Sequence, residues 1–119
     1  MKPESMDHVF HALASATRRE ILDIVKARPG CGVVDVCRFF DVSRIAVMKH
    51  LNVLETAGLL ISEKHGRVRR LYFNAAPIQA IYERWTTEYS ANWAGRLTEF
   101  KRAVEAAVDA DASLSRTRK

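Results

Sequence analysis

The chain has 119 residues, 48% of them apolar, which is enough for one compact core and too few for two. Its formal net charge of +5 attracts polyanions, although so mild an excess identifies no partner by itself. Charged or amide side chains interrupt every apolar stretch well before the roughly 18 residues that a transmembrane helix requires, so we expect no membrane partner.

The N-terminal segment and the cysteines bear on the cellular compartment. The first ten residues, MKPESMDHVF, lack the basic start and apolar run of a secretory signal, so we expect a cytoplasmic protein. Cys31 and Cys37 are then expected to be reduced thiols, because disulfides are rare in that compartment. Their spacing predicts no disulfide.

Helical spacing of apolar residues predicts two helices at the start of the chain. The first covers about residues 6–14 and the second about residues 16–27. Ser15 is a suitable N-cap for the second helix, and the pair Pro29-Gly30 is a stop signal after it.

A further pair of helices is predicted around a tight turn. The third helix covers residues 33–40, Asp41 opens the turn, and Ser43 caps a fourth helix that ends at Gly58. At about 100° per residue, the fourth helix has one packing face and one outward face. His50 falls on the packing face, so we expect a half-buried, hydrogen-bonded residue rather than a base reader.

The remaining chain predicts a β-hairpin and one long helix. Residues 59–64 and 67–74 are extended segments on either side of His65-Gly66. Pro77 suits the first turn of a last helix that continues to about residue 108, with large apolar side chains along one stripe.

The last eleven residues, DADASLSRTRK, contain one large apolar residue and no periodicity, which predicts disorder. We therefore expect one mainly helical domain over residues 6–108, with a β-hairpin wing, and a disordered tail over residues 109–119.

Two short helices joined by a tight turn and followed by a basic hairpin match the plan of a winged helix-turn-helix protein, in which the second helix enters the major groove of double-stranded DNA. Cations can donate to guanine or phosphate, an amide can pair with adenine, and apolar side chains can cover thymine methyl groups. Alternatively, Ile45 and Met48 pack against a neighbouring helix. In that case Arg44 and Lys49 are ordinary solvated charges. The predicted DNA contacts on this helix are Ser43, Arg44, Ile45, Met48, Lys49 and Asn52.

The hairpin adds a second basic element. Its tip, HGRVRR over residues 65–70, contains Arg67, Arg69 and Arg70 on a ribbon that can follow the sugar-phosphate backbone or enter the minor groove. The alternative is a solvated charged face. Beside a recognition helix, we favour DNA contact by these three arginines.

With these residues in view, residues 6–104 resemble the ArsR family of bacterial winged-helix repressors. The family's opening is matched by FHALA at 10–14 and TRR at 17–19, and its recognition helix by SRIAVMKHL at 43–51. The run AGL at 57–59, and Gly66-Arg67 with Tyr72 in the wing, agree as well. The resemblance implies a transcriptional repressor that binds a palindromic promoter operator, and the sequence points to no inducer.

The resemblance also implies a homodimer built from the first and last helices. Large aromatic residues on a helix that is too long for its own core need a partner. The alternative is that the two tryptophans cover the monomer. The residues expected at this interface are Val9, Leu13, Trp85, Tyr89, Trp93, Leu97 and Phe100.

Many members of this family sense metals, but the usual ligands are missing from this chain. The third-helix site needs Cys-x-Cys, whereas five residues separate Cys31 from Cys37, and the last-helix site needs histidines, whereas none follows His65. We expect no metal and no cofactor, as in a subgroup of the family without these sites. The alternative is a metal or thiol sensor that joins Cys31 or Cys37 with His8 or His11.

Two other classes of function compete with DNA binding. An enzyme is disfavoured because the chain has no glycine-rich phosphate loop, paired-carboxylate motif or nucleophile elbow. A protein-binding winged helix is the alternative within the same fold. Such a module would not need Arg44, Lys49 and Arg67 on two converging elements.

Overall fold

A computed structural model describes the backbone of residues 1–86 and 90–117 and the side chains of residues 1–86 and 95–112. The chain forms two compact units, Met1–Tyr82 and Glu83–Lys119. In chain order the elements are α1 (Pro3–Leu13), α2 (Ala16–Ala27), β1 (Cys31–Gly32), α3 (Val33–Cys37), α4 (Arg44–Thr56), β2 (Leu60–His65), β3 (Val68–Phe73), α5 (Ala76–Thr86) and α6 (Ser90–Thr117).

The first two helices are confirmed, with a change at the start of α1. Pro3 opens α1 three residues before the predicted start, where its missing N–H costs no helical hydrogen bond. Ser15 caps α2, and its side-chain oxygen accepts from the backbone N–H of Arg18 at 3.3 Å. Gly30 then takes a φ of +83°, the left-handed conformation that glycine adopts without a steric penalty.

The third helix is shorter than predicted. It ends at Cys37, and Phe39 and Phe40 donate from their backbone N–H groups to carbonyls three residues earlier, at 3.1 and 3.2 Å. Such bonds belong to a tight turn rather than to a continuing α-helix. The turn toward Ser43 therefore begins before Asp41, whereas the sequence predicted that it begins at Asp41.

The fourth helix agrees with its predicted signals. Ser43 caps it by accepting from the N–H of Ala46 at 3.2 Å. Gly58 follows its end with a φ of +76°, and the N–H of Leu59 donates back to the Leu54 carbonyl at 3.0 Å. Both ends of α4 are thus fixed by local hydrogen bonds.

The hairpin is part of a three-stranded antiparallel sheet in the order β1-β3-β2. In the hairpin, Leu60 pairs with Phe73 and His65 with Val68 across a turn at Gly66. The third strand, β1, was not predicted, because two residues carry no periodicity. It pairs Cys31 with Leu71 and so ties the loop after α2 to the wing.

The core of the first unit lies between the helices and the sheet. On the packing faces of α2 and α4, the residues with at most 1% of their surface exposed are Ile21, Val25, Val47, Leu51 and Leu54, and Leu22 has 6%. The complete buried cluster consists of Val9, Ala12, Ile21, Leu22, Val25, Cys31, Val33, Val36, Val47, Leu51, Leu54, Ala57, Leu59, Leu60 and Leu71.

The C-terminal region differs most from the prediction. The single helix expected over residues 77–108 is described as α5 and α6, and α6 continues to Thr117. Helix α6 thus includes residues 109–117, where the composition predicts disorder. Residues 101–112 contain five alanines and neither glycine nor proline, a composition that favours continuing the helix. No helix within the described residues is long and apolar enough to cross a membrane.

Candidate nucleic-acid interface

Most of the outward face of α4, from its first turn to Asn52, is open to solvent. Arg44, Lys49 and Asn52 are exposed, and Ile45 has 70% of its surface accessible. Because only the Ser43 cap engages the first-turn amides, the N-terminal end of α4 keeps partial positive charge. This combination of free cations, an amide and an apolar side chain is suited to base edges and phosphates.

Met48 differs from the other predicted readers. It is half-buried and packs against the core cluster, as the alternative interpretation proposed, whereas Ile45 does not. The side chain of Met48 therefore has less surface to offer to a base than that of Ile45.

The wing arginines fall into two groups. Arg67 lies exposed in the turn between the strands. Arg69 instead forms an ion pair with Glu55 of α4, using one guanidinium nitrogen for both carboxylate oxygens. Arg70 donates to the Gly30 carbonyl at 3.0 Å. Arg69 and Arg70 thus anchor the wing to its surroundings, which leaves Arg67 as the arginine at the tip.

Two residues of this region were missed by the sequence argument. Glu55 is the carboxylate that holds Arg69, and nothing in a linear sequence pairs residues fourteen positions apart. Lys64 lies opposite Arg69 in the hairpin and is exposed, so it adds a cation near Arg67. The position of Lys64 in the strand just before the turn is the signal that places it near Arg67.

His50 has the role predicted from its position on α4. It is half-buried, and its Nδ1 lies 3.4 Å from an Nη1 of Arg18 on α2. The prediction of a hydrogen-bonded packing residue is confirmed.

A shallow groove lies between α1 and α4. Its volume is about 210 Å³, and it is lined by His8, His11, Asn52, Val53 and Thr56. Asn52 therefore borders this groove as well as the outward face of α4.

The cysteines are free thiols in different surroundings. Cys31 is buried, and desolvation, reinforced by the negative charge of Asp35, raises the pKa of its thiol above the ordinary value of 9.0. Cys37 is half-buried. Within the described residues, no three side chains of histidine, cysteine, aspartate or glutamate come together as a metal site.

The residues predicted for a dimer interface are also divided. Trp85, Leu97 and Phe100 are exposed, at 61%, 61% and 68%. Leu13 is half-buried. Val9 is 1% exposed, so its inclusion was wrong: as the inward residue of α1 it belongs to the core of its own chain and has no surface to offer a partner. Tyr89 and the side chain of Trp93 lie outside the described residues.

Known proteins resemble this chain in sequence. The profile of a helix-turn-helix domain family matches residues 13–63, which extend from the end of α1 into β2. The HTH-type transcriptional regulator YuzN of Bacillus subtilis (strain 168) is 35% identical over 85 residues, covering 66% of this chain and 92% of the relative. The transcriptional repressor SdpR of the same organism is 30% identical over 74 residues, covering 62% and 81%.

Solved structures agree with the sequence relatives. The ArsR family transcriptional regulator RHA00566 superposes with a TM-score of 0.64 at 33% identity, covering 78% of this chain and 94% of that one. These relatives are transcriptional regulators and not enzymes. With its capped helix α4, its hairpin wing and these similarities, the chain belongs to the ArsR family of winged helix-turn-helix transcriptional regulators.

Proposed function

We propose that this regulator is a homodimeric repressor that binds a palindromic operator in double-stranded DNA, with α4 in the major groove and the β2–β3 hairpin on the backbone or in the minor groove. The observation that carries the proposal is the outward face of α4, where Arg44, Ile45 and Lys49 are exposed beside the capped helix start. Such a face has little structural purpose in the isolated chain.

The two elements have different roles in this proposal. Arg44 and Lys49 donate to guanine or phosphate, Asn52 reads adenine, and Ile45 covers a thymine methyl group, with a smaller contribution from Met48. Arg67 contacts phosphate at the wing tip. Phosphate contacts fix the orientation of the protein on the duplex, and base contacts supply the specificity.

Arg69 and Arg70 also belong to this interface, in a supporting position. Their bonds to Glu55 and to the Gly30 carbonyl fix the wing relative to the end of α4 and to the loop after α2. The donors that remain on each guanidinium can still face phosphate, because arginine has five N–H groups.

A second copy of the chain is the proposed occupant of the apolar stripe on α6. Leu97, Phe100, Val104 and Val108 recur at helical spacing and are all exposed. Trp85 on α5 is exposed as well. A two-fold dimer would present two α4 helices about 34–36 Å apart, matching successive major grooves on one side of a palindrome.

Repression is the proposed direction of control because the similar protein SdpR is a transcriptional repressor. Binding over a promoter would exclude polymerase. We place this activity in the cytoplasm, where free thiols such as Cys31 and Cys37 remain reduced.

The proposal is tested by selecting duplexes from a random-sequence library with the purified full-length protein. The selected duplex should bind at least about 1,000-fold more tightly than a shuffled duplex of the same composition. Arg44→Ala and Lys49→Ala should each reduce that ratio by about 10-fold or more. Lys26→Ala, which removes an exposed cation from α2, is the matched control and should leave the ratio unchanged. A selection that enriches no sequence contradicts the proposal.

A further inference from the structure

Arg18 joins three elements of the first unit through one side chain. Its Nε donates to the Ala12 carbonyl at 2.9 Å and its Nη2 to the His11 carbonyl at 2.8 Å, both at the end of α1. Its Nη1 meets Nδ1 of His50, on α4, at 3.4 Å. Arg18 itself lies in the first turn of α2.

The contacts at α1 have a clear physical basis. The last four carbonyls of a helix have no partner within the helix, and a cation near them is favourable. Arg19, the next residue of α2, donates to the Leu13 carbonyl at 2.6 Å and likewise places a cation at the end of α1. Arg18 differs from Arg19 in having an additional contact to α4.

The chemistry of that contact determines the histidine tautomer. A guanidinium has N–H donors and no acceptor, so the ring nitrogen that faces it must carry the lone pair. His50 is therefore held as the tautomer with its proton on Nε2, and it accepts from Arg18 through Nδ1.

The Glu55–Arg69 ion pair restrains the last turn of α4 directionally, and the Arg18–His50 contact does the same directly beside Lys49. The buried side chains of α4 contact the core through apolar packing, which depends little on angle. A hydrogen bond weakens steeply with distance and angle. His50 follows Lys49 directly in sequence, so the position of one is coupled to that of the other.

We propose that Arg18 is a positioning residue for DNA recognition: through His50 it fixes the rotation of α4, and hence the aim of Arg44 and Lys49, against the end of α1. The inference rests on the proposed function of α4 as the major-groove reader. It assigns His50 an indirect role in sequence specificity, although His50 touches no base.

The test compares variants at both ends of the contact with a matched control. His50→Leu removes the acceptor, whereas His50→Asn retains one, because its Oδ1 is attached to Cγ as Nδ1 is. Arg18→Gln removes the guanidinium, and Arg19→Gln makes the same charge change where only α1 is contacted. Circular dichroism and urea unfolding verify that each variant is folded.

The measured quantity is the affinity for the selected duplex divided by that for the shuffled duplex at fixed salt. His50→Leu and Arg18→Gln should each lower this ratio by about 10-fold, with no further loss in the double variant. His50→Asn should keep the ratio within about 3-fold of the wild type, and Arg19→Gln should leave it unchanged. An unchanged ratio in His50→Leu, or an equal loss in His50→Asn, overturns the inference. Should Arg18→Gln fail to fold, the two His50 variants still decide.

A second measurement does not involve DNA and separates this inference from the proposed function. In ¹⁵N-resolved NMR of the free protein, His50 should carry its proton on Nε2, and Arg18→Gln should shift its ring nitrogens and the α4 amides while Arg19→Gln does not. A proton on Nδ1 overturns the inference even if the protein binds its operator. A selection without enrichment refutes instead the proposed operator binding, and the NMR result then decides the contact.

Discussion

Arg69, on strand β3 of the wing, holds the carboxylate of Glu55, in the last turn of α4, in a two-oxygen ion pair. The side chains are 34% and 24% exposed, which places the pair between a surface and a buried salt bridge. The wing and the recognition helix are therefore joined by a charge pair as well as by the short loop that connects them in sequence.

Removing the Glu55 charge should loosen this connection. Glu55→Gln should lower the free energy of unfolding by about 1 kcal/mol, because the pair is only partly shielded from water. Urea unfolding measures the change. Glu63→Gln, at an exposed carboxylate of the wing, is the control and should stay within about 0.5 kcal/mol of the wild type. Equal stability of the Glu55 variant and the wild type would show that the ion pair adds nothing to the free energy of unfolding and only orients the wing relative to α4.

The wing tip should contribute affinity without specificity. Arg67→Ala should weaken binding to all duplexes alike and flatten the dependence of log K on log salt by about 1, since one phosphate contact is lost. Fluorescence anisotropy over a salt series gives the slope. Arg44→Ala should instead reduce the preference for the selected duplex. An unchanged slope in the Arg67 variant removes this residue from the interface.

The cap of the recognition helix allows stability and DNA binding to be separated. Ser43→Ala should destabilise the protein by about 1 kcal/mol, because the bond to the Ala46 amide is lost. Ser43→Asp should retain the cap and the stability, yet weaken DNA binding, because its charge faces phosphates. Urea unfolding and duplex affinity of both variants check this. If the aspartate variant binds DNA as tightly as the wild type, the start of α4 does not approach the backbone.

The apolar stripe of α6 predicts a dimer at micromolar concentration in analytical ultracentrifugation. Phe100→Glu should shift the protein toward monomer, because it would bury a charge in the interface. Ala106→Glu places the same group on the opposite side of the helix, at about 100° per residue, and should leave the dimer intact. A wild-type monomer, or an equal effect of both variants, would contradict dimerisation through this stripe.

The thiol of Cys31 should react slowly in the folded protein. Burial raises its pKa, so the reactive thiolate is scarcer than in an unfolded chain. Iodoacetamide at pH 8 should modify Cys37 before Cys31, with both modified in urea, as read by mass spectrometry.

A raised pKa of the Cys31 thiol in the folded protein stabilises the fold at pH values below the pKa of the unfolded chain. This contribution is lost as the pH rises through the pKa of the folded protein. Stability should therefore decline on the alkaline side of 9.0.

Periodicity and caps were sufficient to predict α2 and α4, and the presence of α1 and α3 but not their bounds. Ser15, Ser43 and Gly58 are local signals, and each acts on residues within about four positions, so the sequence displays them directly. Strand β1 could not be predicted, because its existence depends on pairing with Leu71, far along the chain.

The candidate site was only partly predictable for the same reason. The exposure of Arg44, Ile45 and Lys49 followed from their position on the helix. The engagement of Arg69 and Arg70 by partners elsewhere in the chain did not, because basic residues in a run look equivalent until the fold brings in Glu55 and the Gly30 carbonyl. The extension of α6 follows from the high helix propensity of alanine. The sequence did not predict it, because the C-terminal residues show no apolar periodicity.

In the proposed complex, the two α4 helices of a dimer read one palindrome. Hydroxyl-radical footprinting of the selected duplex by the full-length protein tests it most directly. We expect two protected half-sites on one side of the duplex, centred about 10 base pairs or a multiple of that apart, and their loss with Lys49→Ala. A single protected half-site, or protection that follows no sequence, would contradict it.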